Sequence, residues 1–300
     1  MNNRRFYGVK ILNKIILTIG ICTKNSAETV DKTLESIASQ DFPLYGVEII
    51  IVDGGSRDKT LEIVRKFLER TKIKGHVFCD KGAGLSSARQ IVLDNAQGNY
   101  ILWVDSDVIL STNFINHQLS FMEKSPHVAL VWGRGCLTET KSLVAAVHNL
   151  LFCTLDVVYF GATISRTSAL REVGGFDTRI KGAAEDVEIK IRLHLNGWKC
   201  LINEKAIFYH IPKNTLRDLF KQYSWYGYGD HFLHHKYPKL INIPYRLPPI
   251  FFGWGVKLAK KSYKKTRKKE SFLIPLLCLF ISICWCFGFV KAHGEDYGHY

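Results

Sequence analysis

No CxxC pair occurs among the eight cysteines of this 300-residue chain. Cys22, Cys79, Cys136, Cys153 and Cys200 are scattered, and Cys278, Cys284 and Cys286 fall in one apolar run. Neither a zinc ribbon nor a disulfide framework is indicated, and the cysteines read as small apolar fillers in a reducing compartment. No G-x-G-x-x-G or G-x-x-x-x-G-K-[S/T] loop follows the first strand-like run, which excludes a dinucleotide fingerprint and a P-loop. The N-terminus, MNNRRFYGVKILNK, has charges but no apolar signal core, so no secretion signal is expected there. Acidic residues are absent from Lys257 to Lys269 (KLAKKSYKKTRKK), which holds eight basic residues. That run supplies more than half of the formal net charge of +14, so the excess is local, and nucleic acid is not expected as a partner.

Directly after the basic run comes SFLIPLLCLFISICWCFGFV, Ser271 to Val290, twenty residues without charge. As a helix rising about 1.5 Å per residue it would be roughly 30 Å long, the thickness of a bilayer's hydrocarbon core. Pro275 stands near its start, where a missing amide donor is tolerated. The cations beside it predict a single-pass membrane protein with its first 270 residues on the cytoplasmic face, touching anionic lipids.

Upstream, strand-like runs alternate with helical ones. IILTIGIC and VEIIIVDGGSRD read as strands, TVDKTLESIASQ and KTLEIVRKFLER as amphipathic helices, and His76 to Cys79 as a short third strand. GLSSARQIVLDNAQG reads as a third helix closing at Gly98. This alternation predicts a parallel α/β sheet with helices on both faces, whose ligands bind beyond the carboxyl ends of the strands. NYILWVDSDVIL, Asn99 to Leu110, then poses a question, because two aspartates stand in an otherwise buried-type strand. Two unpaired carboxylates are too costly to bury, so the strand is expected to open at Asp105 and Asp107 onto a crevice holding a cation. A nucleoside diphosphate with its divalent ion suits such a D-x-D pair. Asp53 should line the same crevice, with Arg89 on the helix before the D-x-D strand. GGFD followed by AAEDVEIKIRLHLNG places Glu185 and Asp186 at a helix start. WKCLINEKAIFYH is the strand after it, ending on His210.

TIGICTKN, IIIVDGGSRDKT, GLSSARQIVLDNAQGNYILWVDSDV and GGFDTRIKGAAEDVEIKIRLHLNGWK, in that order, resemble a family 2 glycosyltransferase with the GT-A fold. The resemblance runs from about Ile15 to Tyr228, over two-thirds of the chain. It implies that Thr23 and Asp53 contact the nucleotide base, that Arg89 lies near the nucleotide, and that Asp105 and Asp107 form the nucleotide–metal motif. It also implies that Asp186, in the Glu185–Asp186 pair, is the general base and that His210 matches a third metal ligand of some relatives. The cofactor implied is a divalent cation, Mn2+ or Mg2+. The Q-x-x-R-W motif of processive synthases is absent; QYSWYGYG, Gln222 to Gly229, stands in its region, so addition of one sugar is expected.

The resulting expectation is an inverting enzyme that moves a single sugar from a nucleotide sugar, UDP-linked by preference, to a lipid-linked or glycan acceptor at the membrane. Two alternatives remain at this point: a polyprenyl- or dolichyl-phosphate sugar synthase, and a catalytically silent membrane scaffold. The chain divides into a GT-A domain (1–235), an aromatic and basic juxtamembrane segment (236–270), a transmembrane helix (271–290) and a short tail (291–300).

Overall fold

The computed structural model describes residues 15–136, 138–155, 160–241 and 243–298. The N-terminal MNNRRFYGVKILNK segment and the last two residues of the expected tail lie outside the described residues. The first half runs β1 (Leu17–Thr23), α1 (Val30–Ala38), β2 (Val47–Asp53), α2 (Thr60–Thr71), β3 (Lys74–Cys79), α3 (Leu85–Asn95), β4 (Tyr100–Val104), β5 (Val108–Leu110) and α4 (Phe114–Glu123). It continues with β6 (Val128–Cys136), α5 (Leu143–Leu155), β7 (Ala162–Arg166), α6 (Thr167–Glu172), α7 (Glu185–Leu195), β8 (Lys199–His210), α8 (Leu216–Lys236), α9 (Pro248–Thr266) and α10 (Ile274–Gly294).

β1, β2 and β4 are buried along their whole lengths or nearly so, because helices cover both faces of the sheet. The two-residue period sends Ile49 and Ile51 to one face and Ile50 and Val52 to the other. The first face packs on α1, α2 and α4 through Leu34, Phe67 and Phe114; the second packs on α3, α6 and α7 through Val92, Leu170 and Ile189. Each such side chain contributes about 1.5–3 kcal/mol by burial.

The strand order is β3-β2-β1-β4-β7-β6-β8-β5. The expected parallel pairing holds for β3, β2, β1 and β4, and again for β6 with β8. β7 runs antiparallel to both β4 and β6, and β5 antiparallel to β8, so the sheet is mixed. This reversal matters for the crevice, since it brings the start of β7 beside the carboxyl end of β4, where Asp105 N–H donates to the Gly161 carbonyl at 3.0 Å. Gly98 also differs from its expected role. α3 ends at Asn95, and Gly98 instead lets the chain pass the β1 backbone: a Cβ there would lie 2.5 Å from the Thr18 nitrogen.

α8, α9 and α10 form a helical layer with α5, around Leu150, Leu219, Leu258, Leu277 and Ile281. α8 and α10 touch backbone to backbone, because a Cβ on Gly227 would overlap the Trp285 carbonyl and one on Gly288 the Ser224 carbonyl. The Trp285 indole N–H donates to Asp230 at 2.8 Å. By length and composition α10 is a candidate membrane span, the one such helix among the described residues. Its carboxyl end returns to the domain, where the Tyr297 hydroxyl accepts from the Lys181 N–H at 2.6 Å.

Candidate functional site

The ends of β1 and β2 form the floor of the crevice, with Thr23 and Asp53 side by side in the parallel register. Asp53 is buried and uses its carboxylate to shape the loop after β2. It accepts from the Gly55 N–H (3.0 Å), the Ser56 N–H (2.8 Å) and the Ser56 hydroxyl (2.5 Å). Gly55 holds φ +80°, a conformation glycine adopts without steric cost. The Thr23 hydroxyl is buried with no hydrogen-bond partner among the described residues, which leaves one donor for a ligand. Asp80, at the end of β3, accepts from the Gly82 and Gly84 N–H groups (2.8 and 3.2 Å) and so sets the turn into α3.

Arg89 on α3 is 3% exposed and joins two of the expected acids. One arm of its guanidinium pairs with Glu185 at the start of α7, and the other reaches Asp105 at 3.4 Å. The Phe160 ring lies 4.4 Å from the guanidinium carbon. Burial opposes the charge on Arg89, but Glu185 and Asp105 outweigh it and hold the group above its ordinary value. Burial pushes Glu185 up to about 7, with Asp186 and Asp105 adding to the push while Arg89 pulls against it. The second carboxylate oxygen of Glu185 is buried without a partner among the described residues. Cys22 lies in the same field, and burial pushes its thiol up to about 12, so it stays neutral and is no nucleophile.

Asp107 makes a second arrangement across β5 and β8. Its carboxylate lies 3.3 Å from His210 Nε2 and 3.1 Å from Lys213 Nζ. Burial would raise this carboxyl, but His210 and then Lys213 overcome it and hold it well below the usual range. Two ligands at right angles on an ion about 2.1 Å away are themselves about 3 Å apart. The Asp107–His210 separation is close to that, and Asp105 adds a partly exposed carboxylate (27%) two residues away. A set of two carboxylates and one imidazole fits a hard to borderline divalent ion such as Mn2+.

Asp186 is half-buried and follows Glu185 on the first turn of α7, where its Oδ1 accepts from the Val187 N–H at 2.9 Å. Ala184, just before it, sits at φ +89°, a sparsely populated conformation for a residue with a Cβ. The loop before it packs backbone to backbone on α8, since a Cβ on Gly182 would lie 2.5 Å from the Gly229 nitrogen and one on Gly229 1.9 Å from the Ala183 carbonyl oxygen. Gly229 of QYSWYGYG thus lets α8 approach the loop that carries the Glu185–Asp186 pair. Tyr226 of the same stretch is half-buried, and burial first, then Asp186, Asp107 and Asp105, raises its hydroxyl's pKa. It accepts from the Gln222 side-chain amide at 3.0 Å.

The sequence pattern of glycosyl transferase family 2 matches residues 18–167, half of the chain, and that of glycosyl transferase family group 2 matches residues 100–290. The chain belongs to glycosyl transferase family 2. This family 2 chain is 26% identical over 229 residues to poly-beta-1,6-N-acetyl-D-glucosamine synthase of Staphylococcus epidermidis, covering 69% of this chain and 52% of that protein. It is 27% identical over 198 residues to the poly(ribitol-phosphate) beta-N-acetylglucosaminyltransferase TarS of Staphylococcus aureus, covering 62% of this chain and 34% of that one. The chain therefore spans about half the length, or less, of these curated relatives. Among solved structures, a mannosyltransferase from Pyrobaculum calidifontis in complex with GDP-Man and Mn2+ superposes with a TM-score of 0.65 at 15% identity, covering 94% of this chain and 88% of that one. Residues 1–349 of TarS in complex with UDP superpose with a TM-score of 0.53 at 19% identity, covering 95% and 92%. The fold is of the GT-A type.

Five of the expected residues of the family 2 chain thus fall into two groups, Asp105–Arg89–Glu185 and Asp107–His210, Thr23 and Asp53 pair at the ends of β1 and β2, and Asp186 follows Glu185 on α7. Sequence reasoning missed four contributors. Asp80 carried a signal, an aspartate after a strand followed by glycines at alternate positions, and Gly82 and Gly84 do hold φ +81° and +112°. Lys213 carried none, being a single residue of ordinary type brought in by a tertiary contact, and Tyr226 lay in the QYSWYGYG stretch, whose place beside the acids only the tertiary structure sets. Gly161 is needed because a Cβ there would fall inside the Asp105 carboxyl group, which no local pattern announces.

Proposed function

We propose that this chain is an inverting glycosyltransferase that moves one sugar from a nucleotide-sugar donor to a lipid-linked acceptor. The observation that carries the reading is the Asp105–Arg89–Glu185 bridge, which ties a D-x-D carboxylate to the E-D pair at the open ends of the sheet. Thr23, with its spare hydroxyl, and the Asp53 loop would meet the base. Asp105, Asp107 and His210 would hold the divalent ion, which when bound supplies positive charge against the departing diphosphate. Lys213, now on Asp107, adds a further cation at that place. Of the E-D pair, Glu185 is engaged by Arg89, while Asp186 is partly open to solvent. Asp186 would therefore take the proton from the acceptor hydroxyl, and Glu185 would act as a positioning residue through Arg89. A single displacement inverts the anomeric centre, giving a β-linked product from an α-linked donor. A UDP-sugar is the donor favoured, in keeping with the UDP bound by the TarS structure.

Membrane attachment is proposed through α9 and α10. Leu276, Ile283, Phe287 and Val290 form one exposed stripe on α10, and α9 adds exposed Phe252 and Trp254 followed by the lysine run. An apolar stripe bordered by lysines suits an anionic bilayer surface on the cytoplasmic side. α8, which carries Lys221 and Asp230, lies along the inner face of α10, so lipid meets the outer stripe. The single crossing expected from the sequence would require α10 to part from α8.

Calorimetric titration of the detergent-purified chain with UDP and with GDP, each with and without Mn2+, tests the reading. Binding of one nucleotide that depends on Mn2+, and that Asp107→Asn weakens at least about tenfold (about 1.4 kcal/mol) while the protein stays folded, is expected. A folded protein that binds neither nucleotide would overturn it in favour of a silent scaffold.

A further inference from the structure

Away from the crevice, three histidines converge where α8 meets the carboxyl end of α10. His231 and His235 stand one helical turn apart on α8, their ring centroids 4.5 Å apart, and His293 of α10 faces His231 with centroids 5.6 Å apart. One ligand nitrogen from each of the three lies within 4.8 Å of the others. The buried ring, His231, has its tautomer fixed. Its Nδ1 is 2.6 Å from the Tyr297 carbonyl oxygen, which can only accept, so Nδ1 carries the proton and Nε2 carries the lone pair. A backbone carbonyl behind a histidine is the arrangement that orients metal-bound imidazoles. Nε2 of His231 lies 3.4 Å from Nδ1 of His293. Two nitrogens held tetrahedrally at about 2.0–2.1 Å from an ion are about 3.3 Å apart.

We propose that His231, His235 and His293 bind one divalent transition ion of the zinc class, which staples the carboxyl end of α10 to α8. Imidazole nitrogens without carboxylates select such ions over Mg2+, so this site differs in kind from Asp105, Asp107 and His210. Three protein ligands leave the fourth position for water. The staple acts on the transferase machinery at a distance. Tyr297, whose carbonyl holds His231, also receives the Lys181 N–H at 2.6 Å, and Lys181 opens the loop that ends in the strained Ala184 and the Glu185–Asp186 pair.

The test uses the full chain in detergent, without a polyhistidine tag, stripped of metal, loaded with Zn2+ in excess Mg2+, desalted and assayed for bound zinc. The unmutated protein is expected to keep one equivalent that His235→Gln and His293→Gln each lose. Its melting temperature should rise by about 5–10 °C at free Zn2+ about a hundredfold above Kd, a rise the variants lack. Any zinc held by Asp107 and His210 remains in all three proteins, so the difference is the readout. Equal zinc in the three proteins would overturn the proposal and leave the histidines as a hydrogen-bonded cluster. Co2+ decides independently of how the variants fold: the unmutated chain should give the visible spectrum of a tetrahedral, nitrogen-rich site, and a purely octahedral spectrum would overturn the proposal.

Discussion

Arg89→Met removes the only cation in contact with Glu185 among the described ion pairs while keeping most of the volume of the side chain. Both Arg89 and Glu185 are 3% exposed, so the variant strands a buried carboxylate. Breaking such a buried pair by removing one partner costs about 3–5 kcal/mol. For a domain of this size each kcal/mol lowers Tm by about 2–4 °C, so a loss of roughly 10 °C is expected. The loss must also depend on pH. Glu185 already has a folded pKa pushed up to about 7 from an ordinary 4.5, so the folded state binds the extra proton and loses stability as pH rises through that interval. Without Arg89 the carboxyl rises further, and the penalty continues to grow above pH 7 by up to about 1.4 kcal/mol per pH unit. Thermal melts of Arg89→Met and the unmutated chain at pH 6 and pH 8 should therefore diverge, with the larger gap at pH 8. Adding Glu185→Gln should recover part of the loss and remove its pH dependence. A variant within 1 °C of the unmutated protein at both pH values, or a double variant no more stable than Arg89→Met, would refute the buried-pair account.

Gly161→Ala should leave the melting temperature within a few degrees but lower turnover about a hundredfold, because it displaces the Asp105 carboxyl by about 1 Å; steady-state kinetics with Mn2+ checks this. Lys236 bonds both Asp177 (2.7 Å) and Glu188 (2.5 Å), and despite burial these and the neighbouring arginines hold both carboxyls below their ordinary 3.8 and 4.5. That stabilisation is present above about pH 4.5 and is lost as pH falls below it, so Lys236→Met should cost about 2 kcal/mol at pH 7 and less at pH 3.5, read by urea unfolding. Gly288→Val puts a side chain into the Ser224 carbonyl and should loosen α10 from α8; faster proteolysis between Tyr237 and Leu247 is the expected result, and unchanged cleavage would mean that the helices separate without cost.

The strand–helix alternation up to β4 was legible from the sequence because it is local. Ile49 to Val52 can only be a strand buried on both faces, and Leu61, Val64 and Leu68 share one face of a helix whatever surrounds them. The opening of the chain at Asp105 was legible too, since two carboxylates cannot stay in an apolar strand unpaired. Thr23, Asp53 and the Glu185–Asp186 pair fell to strand ends and a helix start that their own neighbours specify. The reversal of β7 was not legible, because strand direction depends on which partner edge is free, and the antiparallel entry of Ala162–Arg166 sets that only in three dimensions. The partners of the charges were likewise decided by the tertiary structure. Arg89 and Glu185 are ninety-six residues apart, and Asp107 and Lys213 one hundred and six. Side-chain charge is written in the sequence, but burial and distance fix whether it stabilises, titrates or binds, and both arise only when the chain closes on itself.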